Sequence, residues 1–379
     1  MENPAGDDTL RLLGESVRRY VEKEIVPRGH AWEEQGFVPR EVLRDMGRLG
    51  FLGLRYGEEF GGGGLDARAT ALLAEELGRS TFSGFAITVL VHTDMASPHL
   101  VNAGSPAQIR KYLPKIVSGE LITAVAVTEP DAGSDVKGIR TRARREGGEY
   151  VLKGTKMFIT NGALADLYFV AAKTGPEGGS KGISMFIVEK GMPGFSVGRK
   201  LDKMGWRSSD TAELVFDDCR VPAGNLLGEE NRGFYAIMKN FQNERVAIAA
   251  MAMGEAARAI ELTLEYVKTR KAFGAPLWDK QAIRQRLSML SARVEAGRQL
   301  VSHAASLDAQ GRDCVKEVSM AKAYCAELLN DVVYDCLQFH GGFGYIRESA
   351  IERMYRDARV QTIGGGATEV MLEEVAKRL

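Results

Sequence analysis

Residues 126–138 have the sequence Ala126-Val127-Thr128-Glu129-Pro130-Asp131-Ala132-Gly133-Ser134-Asp135-Val136-Lys137-Gly138. They overlap the end of an apolar, β-branched run at 121–127 that predicts a strand, and they are rich in residues that favour turns. A loop of this kind offers free backbone N–H groups and hydroxyls, so it can bind an anionic or ring-edge ligand without a charged side chain. On these residues alone, an ordinary structural turn is an equal alternative.

The strand pattern continues beyond this loop. From residue 120 to residue 227, short β-branched or aromatic runs are separated by glycines. The helices of about ten to fifteen residues that mark βαβ units are missing from this region. We therefore predict an antiparallel β domain and disfavour a classical dinucleotide-binding fold.

Apolar residues at helical spacing flank the β region on both sides. Residues 10–119 predict helices, and long helical patterns return at 233–270, 281–310 and 315–338, followed by a shorter one from about Glu348 and a glycine break at 364–366. Long helices of this kind suit an antiparallel bundle, which often joins subunits. The predicted class is α+β multidomain, with a helical domain at 1–119, a β domain at 120–227 and a helical bundle at 228–379.

The composition limits the class of protein. The 379 residues include 50 Lys plus Arg and 50 Asp plus Glu, so no net charge favours nucleic acid or an anionic membrane. No apolar run approaches the roughly 18 residues of a membrane helix, and the first residues do not resemble a signal or transit peptide. We expect a cytoplasmic protein that binds neither nucleic acid nor membrane.

The cysteines and histidines do not indicate a metal centre. The cysteines form no CxxC motif and lie near no histidine at ligand spacing; they are Cys219, Cys314, Cys325 and Cys336. The last three recur every eleven residues, which places them on one helix face and predicts buried, reduced thiols. The five histidines form no cluster in the sequence, so we expect no metal site.

A carboxylate occupies the apolar face of the first long C-terminal helix. At helical spacing Glu244 shares its face with Ile237, Phe241, Ala247, Ile248 and Met251. An unpaired buried charge is costly, so this glutamate needs a partner, a raised pKa or a chemical role. The neighbouring Arg245 points to a different part of the helix surface and is not the obvious partner.

Several segments together resemble one family. Residues 126–138 resemble the first signature of the acyl-CoA dehydrogenase family, and so does the downstream segment Lys156-Met157-Phe158-Ile159-Thr160-Asn161-Gly162. The second signature is similar to residues 338–345, followed by Glu348, Arg353 and Asp357 at matching intervals. Residues 216–222, 227–229 and 270–274 add further matches, so the resemblance spans nearly the whole chain in the correct order.

The resemblance implies a helical N-terminal domain, a middle β-barrel domain and a C-terminal four-helix bundle, with non-covalent FAD between the last two. The implied cofactor-binding residues are Val125, Val127, Thr128, Gly133, Ser134, Phe158, Ile159, Thr160, Arg270, Phe273, Gln281, Gln338, Gly341, Gly342, Gly366, Thr368 and Glu369. Phe158 would stack near the flavin ring, and Thr160 would approach the flavin N5. In the family, the contacts matching Arg270 and the residues after it come from a neighbouring subunit. A homo-oligomer is therefore implied, a tetramer rather than a dimer.

The implied reaction is α,β-dehydrogenation of an acyl-CoA thioester to the trans-2-enoyl-CoA, with electrons passed to an electron-transfer flavoprotein. Many members carry the catalytic base in a C-terminal Glu-Gly-Thr motif, but this chain has Gly365 at that position, after Gly364. The isovaleryl-CoA and long-chain branches carry the base on the first long C-terminal helix, which matches Glu244. The implied catalytic residue is thus Glu244, and the implied substrate-binding residues are Ser134, Asn243, Glu244, Arg245, Gly364 and Gly365.

Gly364 and Gly365 also lack side-chain volume, and we predict that the pocket beside them admits a methyl branch or a long acyl chain. Three alternatives stay open. The same fold could act on an acyl-carrier-protein thioester, or react with oxygen as a flavin oxidase. A catalytically silent flavin-binding homologue is the third, favoured by Gly365 and opposed by Glu244.

Overall fold

The computed structural model describes residues 6–175 and 179–379. Its first part is helical, as predicted, with α-helices α1 (Asp7–Tyr20), α2 (Gly29–Gln35), α3 (Arg40–Arg48), α4 (Ala67–Gly78), α5 (Ser83–Leu90), α6 (Pro98–Ala103) and α7 (Pro106–Val117). π-Helical segments extend α1 at Val21–Ile25 and α5 at Val91–Ala96. Helix α7 begins in a capping box, in which the Ser105 hydroxyl accepts from the Gln108 N–H while the Gln108 side chain accepts from the Ser105 N–H.

The middle part is a β-sheet. Its strands are β1 (Thr123–Ala126), β2 (Arg142–Glu146), β3 (Glu149–Thr160), β4 (Leu167–Lys173), β5 (Ile183–Glu189), β6 (Phe195–Lys200), β7 (Thr211–Pro222) and β8 (Leu226–Leu227). The order across the sheet is β6-β7-β3-β2-β4-β5-β8, and β1 pairs with β4. Most neighbours are antiparallel, but β1 runs parallel to β4, and β2 meets β4 in a parallel bridge. The expectation of a purely antiparallel sheet was therefore wrong. No hairpin joins β1 to β4, because about forty residues separate the two strands in the sequence.

The last part is helical again. It contains α8 (Gly233–Thr269), the short strands β9 (Lys271–Ala272) and β10 (Ala275–Pro276), and the helices α9 (Gln281–Ala309), α10 (Val315–His340), α11 (Ala350–Ala358) and α12 (Thr368–Ala376). The three long helices end at Thr269, Ala309 and His340, within two residues of the ends predicted from apolar periodicity. A 3-10 turn at Arg359–Thr362 leads into the glycine break before α12.

Glycines let the helical domain approach the bundle backbone to backbone. A Cβ on Gly254 of α8 would lie 1.9 Å from the Glu75 carbonyl oxygen, and one on Gly78 of α4 would lie 2.3 Å from the Met251 carbonyl oxygen. Because no side chain separates the helices here, α4 fixes the position of the middle of α8. The residues of α8 that face the rest of the molecule are thereby fixed as well.

The four cysteines are buried and unpaired, which confirms the prediction of free core thiols. Among residues 6–175 and 179–379, no helix combines the length and the apolar character needed to cross a membrane. The same ranges contain no group of three or more His, Cys, Asp or Glu side chains that could hold a metal ion.

Candidate active site

A buried ion pair ties the loop after β1 to strand β3. The ammonium group of Lys156 is fully buried and donates to the Val127 carbonyl at 2.9 Å and to Glu129 Oε1 at 2.7 Å. Glu129 also accepts from the backbone N–H groups of Arg140 and Thr141. Burial works to raise the pKa of Glu129, but the Lys156 charge and these hydrogen bonds hold it below its usual value. Sequence reasoning missed this pair, although a lysine among the apolar residues of a strand was a signal for it.

The two segments with the expected flavin contacts lie side by side. The N–H of Met157 donates to the Thr128 carbonyl at 2.9 Å. An irregularity in the β3–β7 pairing follows Lys156 and puts Phe158 at φ 60°, with its side chain 64% exposed. The side chains of Val127 and Ile159 are buried, so those residues can contact a ligand only through their backbone.

The rest of the loop is open to a ligand. Gly133 and Ser134 are exposed, and a Cβ on Gly133 would meet nothing within 4 Å. Among the described residues, no partner accepts from their backbone N–H groups. An exposed aromatic face beside a loop of free donors suits a flat ring system with an anionic tail. The residues present therefore fit a flavin dinucleotide.

A second group of expected cofactor contacts gathers at one end of the bundle. Its members are exposed and comprise Arg270, Phe273, Gln281, Gln338, Gly341 and Gly342. Tyr266 joins α8 to α10 here, because its ring stacks on His340 at 4.4 Å and its hydroxyl donates to the His340 carbonyl at 3.2 Å. Within the described residues, no hydrogen bond or ring contact connects this group to the loop after β1. One chain thus presents two separate sets of expected flavin contacts.

Glu244 is buried on α8, with 7% of its surface exposed. Its Oε1 accepts from Asn240 Nδ2 at 3.3 Å, and no cation of the described residues lies within ion-pairing distance of its carboxylate. Burial raises the pKa of Glu244 to about 8, while the charge of Arg245 and the Asn240 hydrogen bond oppose this rise. This carboxyl group therefore takes up and releases a proton near neutral pH.

The π-helical segment Val91–Ala96 connects helix α8 to strand β1. On one side, His92 Nδ1 accepts from the Thr123 N–H of β1, and its Nε2 donates to the Ile116 carbonyl at 3.0 Å. On the other side, Asn240 of α8 donates to the Met95 carbonyl at 2.7 Å. Sequence reasoning predicted a helix here but not its π geometry, which is frequent at functional sites.

Lys322 of α10 holds the backbone of the glycine break at residues 364–366 by a hydrogen bond. Its buried ammonium group donates to the Gly366 carbonyl. Burial, together with the charge of the nearby Arg245, lowers the pKa of Lys322 to about 8. Arg245 is itself buried, with its guanidinium 5.9 Å from the Phe241 ring centre and with no partner for its Nε among the described residues. Sequence reasoning missed Lys322.

The glycines do not leave open space on their α8 side. Gly365 has φ 64°, and a Cβ built on it would lie 2.3 Å from Cδ1 of Ile248. At position 365, the end of the Ile248 side chain, one turn beyond Glu244, thus occupies the space that a Cβ would need. The acceptance of a branched or long acyl chain stays a prediction. Thr368 donates to Glu327 Oε1 at 2.7 Å, and Glu369 is exposed.

Two cavities formed by the described residues are not lined by Glu244. The larger, about 880 Å³, has a mostly charged lining that includes His30, Lys203 and Arg353 but none of the expected site residues. The smaller, about 300 Å³, is lined by Ile363, Thr368 and Glu369 among others, so it touches the expected cofactor set. Neither of these two cavities points to Glu244.

Family models match all three parts of the chain. "Acyl-CoA dehydrogenase, N-terminal domain" matches residues 7–120, the middle domain matches 124–219, and the C-terminal domain matches 231–379. The chain belongs to the acyl-CoA dehydrogenase family. It is therefore an enzyme of a family of oxidoreductases, and the helical, β, helical architecture expected from the resemblance is confirmed.

Named relatives cover nearly the whole chain. The mitochondrial long-chain specific acyl-CoA dehydrogenase of Mus musculus is 44% identical over 97% of this chain and 86% of its own length. The mitochondrial isovaleryl-CoA dehydrogenase of Pongo abelii is 37% identical over 95% of this chain and 86% of its own length. Both branches expected from the sequence thus occur among the relatives.

Solved structures of the acyl-CoA dehydrogenase family are similar over the full chain. The enzyme from Geobacillus kaustophilus aligns with a TM-score of 0.95 and 39% identity, covering 100% of this chain and 99% of that one. A glutaryl-CoA dehydrogenase from Mycobacterium smegmatis in complex with FADH2 aligns with a TM-score of 0.93 and 30% identity, covering 99% and 95%. A chain from a structure of the electron transferring flavoprotein of Acidaminococcus fermentans aligns with a TM-score of 0.96 and 36% identity, covering 100% and 99%.

Proposed function

We propose that this protein dehydrogenates an acyl-CoA thioester to the trans-2-enoyl-CoA, with FAD as cofactor and Glu244 as the base that removes the α-proton. The observation that carries the proposal is the state of Glu244. It is a buried carboxyl group without an ion-pair partner in the described residues, and its pKa of about 8 lies near working pH. A base for a weakly acidic C–H needs such a water-excluded site and a pKa near the operating pH.

The chain's own residues supply the rest of the site. The loop at 126–138 offers hydroxyls and free N–H groups to the cofactor, and the exposed ring of Phe158 offers a stacking surface. Bound FAD would accept the β-hydrogen as hydride. The N–H groups of this loop and the buried Arg245 are the candidates to hold the substrate beside Glu244.

We propose that the cofactor site is completed by a second copy of the chain. The exposed group at the end of the bundle, Arg270 to Gln281 together with Gln338 to Gly342, would contact the FAD of a neighbouring subunit. Phe273 is 96% exposed, which a single chain leaves unexplained. The oligomer would be a tetramer rather than a dimer, and a cytoplasmic location stays a prediction.

Electrons would leave to an electron-transfer flavoprotein, a partner that the aligned Acidaminococcus fermentans structure names for its own system. The acyl group would be of medium length, long or branched, in line with the named relatives. A Cβ on Gly364 would meet only the Val360 carbonyl oxygen, at 3.6 Å, so Gly364 is the less crowded of the two glycines. Reduction rates with isovaleryl-, octanoyl- and palmitoyl-CoA would separate these classes, and a clear preference for butyryl-CoA would contradict all three.

Anaerobic bleaching of the purified yellow protein tests the proposal. Acyl-CoA should reduce the flavin of the native chain, and Glu244→Gln should retain the flavin but lose roughly 10²- to 10⁴-fold in the reduction rate. Bleaching only by acyl-carrier-protein thioesters would favour the carrier-protein alternative, and peroxide formed in air would favour an oxidase. A yellow protein that no thioester bleaches would favour the silent homologue, while full activity of the Gln variant would remove Glu244 as the base.

A further inference from the structure

The amide of Asn240 faces more acceptors than it has hydrogens. Its Nδ2 lies 2.7 Å from the Met95 carbonyl, 3.3 Å from His99 Nε2 and 3.3 Å from Glu244 Oε1. The carbonyl of Met95 can only accept, so it fixes the orientation of the amide and takes one N–H. His99 and Glu244 then share the second hydrogen at equal distance. All of these groups are buried, with Asn240 itself only 2% exposed.

His99 is an acceptor in this arrangement. Burial lowers the pKa of His99 to about 4, so the ring is neutral across the working range. A neutral imidazole has one nitrogen without a proton, and Nε2 can therefore accept from Asn240. The ring also packs against Phe169 at 6.3 Å, which holds it in place.

The carbonyl oxygen of the Asn240 amide is also available as an acceptor. Asn240 Oδ1 is buried and has no hydrogen-bond partner among the described residues. A buried acceptor without a partner is unfavourable unless it is satisfied at another stage of the cycle. When Glu244 has taken the substrate proton, it becomes a carboxylic acid with an O–H to donate, one turn of α8 away.

We propose that Asn240, with His99 as its alternate acceptor, is a positioning residue that satisfies Glu244 in both of its protonation states. While Glu244 is a carboxylate, the shared amide hydrogen goes to Glu244. After Glu244 has accepted the α-proton, that hydrogen goes to His99, and Oδ1 of Asn240 accepts from the new carboxylic acid. In this scheme Glu244 would take the α-proton from the substrate carbon, and FAD, when bound, would accept the β-hydrogen as hydride. This inference rests on the proposed function.

The other charged groups near Glu244 do not replace Asn240. Arg245 lies next to it on α8 and favours the carboxylate through its charge alone. Asp94, on the π-helical segment, is buried, accepts from Thr70 at 2.9 Å, and has its pKa raised by burial to about 6. Lys322 reaches the Gly366 carbonyl. Of the described side chains, Asn240 supplies the hydrogen bond to the carboxylate of Glu244.

The test is the pH profile of the anaerobic flavin reduction rate with acyl-CoA, measured by stopped flow. Asn240→Leu removes both the donor to the carboxylate and the acceptor for the carboxylic acid. A hydrogen bond to a charged group is the stronger of the two, so the profile should shift to higher pH, with the rate at pH 7 lower by up to about tenfold. His99→Phe keeps the packing against Phe169 but removes the competing acceptor. Its profile should therefore shift in the opposite direction, to lower pH.

Lys239→Gln is the matched control, because Lys239 is an exposed charge next to Asn240 on the same helix, and its profile should not move. Asn240→Asp is the second variant if the leucine does not fold, and its added charge should shift the profile to still higher pH. Equal losses at every pH in the Asn240 and His99 variants, or shifts in the same direction, would overturn the inference. A native protein that no acyl-CoA bleaches would instead contradict the proposed function itself.

Discussion

Two buried glutamates lie three turns apart on α8, and their surroundings differ. Glu244 is 7% exposed and is held by one long hydrogen bond from Asn240. Glu255 is fully buried, and its Oε1 accepts from Gln361 Nε2 at 2.9 Å, while its Oε2 has no partner in the described part of the chain. Burial raises the pKa of Glu255 well above its usual value, and the nearby Asp357 adds to the effect.

The comparison shows that burial and a raised pKa do not by themselves identify a base. Glu255 meets both criteria as well, yet it is enclosed by α8 and by the turn that carries Gln361. Glu244 keeps part of its surface accessible, and its amide partner has a second acceptor. Access for a substrate separates a reacting carboxyl group from a structural one.

The largest expected effect is the difference in activity between the two neutral variants. Glu244→Gln removes the proton acceptor and should lower the flavin reduction rate by roughly 10²- to 10⁴-fold. Glu255→Gln keeps an oxygen for the Gln361 amide and should leave the rate within about threefold of the native value. Stopped-flow reduction with one acyl-CoA measures both variants.

The FAD content of both variants should match the native protein, which excludes a trivial loss of cofactor. Equal activity losses in the two variants would remove the distinction between them. A selective loss in Glu255→Gln would transfer the role of base to Glu255.

A smaller effect is expected in the pH dependence of folding stability. The pKa of Glu244 is about 8 in the folded chain against 4.5 as its ordinary value, so the folded state holds an extra proton between these values. Stability therefore falls as pH rises from about 4.5 to about 8, by roughly 3 kcal/mol at pH 7. Glu244→Gln should unfold at a higher temperature than the native protein at pH 8, with the gap closing towards pH 5.

Glu255→Gln sharpens this prediction. Because burial and the nearby Asp357 raise the pKa of Glu255 well above its usual value, Glu255→Gln should also gain stability over the native chain as the pH rises. Thermal unfolding at several pH values gives both curves. Parallel curves would mean that the two carboxyl groups titrate alike.

The smallest expected effect is the coupling between Gly365 and Ile248, which lies one turn of α8 beyond Glu244. Gly365→Ala adds a Cβ 2.3 Å from Ile248 Cδ1 and places it at φ 64°. The left-handed conformation costs about 1–2 kcal/mol for a non-glycine residue, and overpacking typically costs about 1–3 kcal/mol more. Ile248→Ala in the same chain should relieve the overpacking but not the backbone strain.

A double-mutant cycle of unfolding free energies isolates this contact, because the two sites touch. The loss in the double variant should be smaller than the sum of the two single losses. Strict additivity would mean that Ile248 does not fill the position of the missing side chain.

Regular patterns in the sequence were sufficient to predict the bounds of the long helices. The bounds of α8, α9 and α10 follow from apolar periodicity over many turns, and Glu244 stood out because it interrupts an apolar face. Glu255 did not stand out, because the sequence alone does not show that Gln361 closes over it. The expected FAD-binding residues came from the resemblance to the acyl-CoA dehydrogenase family, and the family models show that the chain belongs to that family.

The parts that sequence reasoning missed depend on contacts between distant segments. The parallel direction of β1 is set by its partner β4, about forty residues later. The Lys156–Glu129 pair and the Asn240–His99 contact join different elements. Ile248 occupies the place of a side chain more than a hundred residues away. Local periodicity carries no information about such pairs.

The π-helical segment Val91–Ala96 limits how this chain can change in evolution. Deleting one residue there would restore an α-helix, and everything beyond it would rotate by about 100° relative to everything before it. The contacts of His92 with β1 and those of Met95 with α8 could not then both be kept. Surface loops can gain or lose single residues, but in this segment only substitutions that keep its length preserve both sets of contacts.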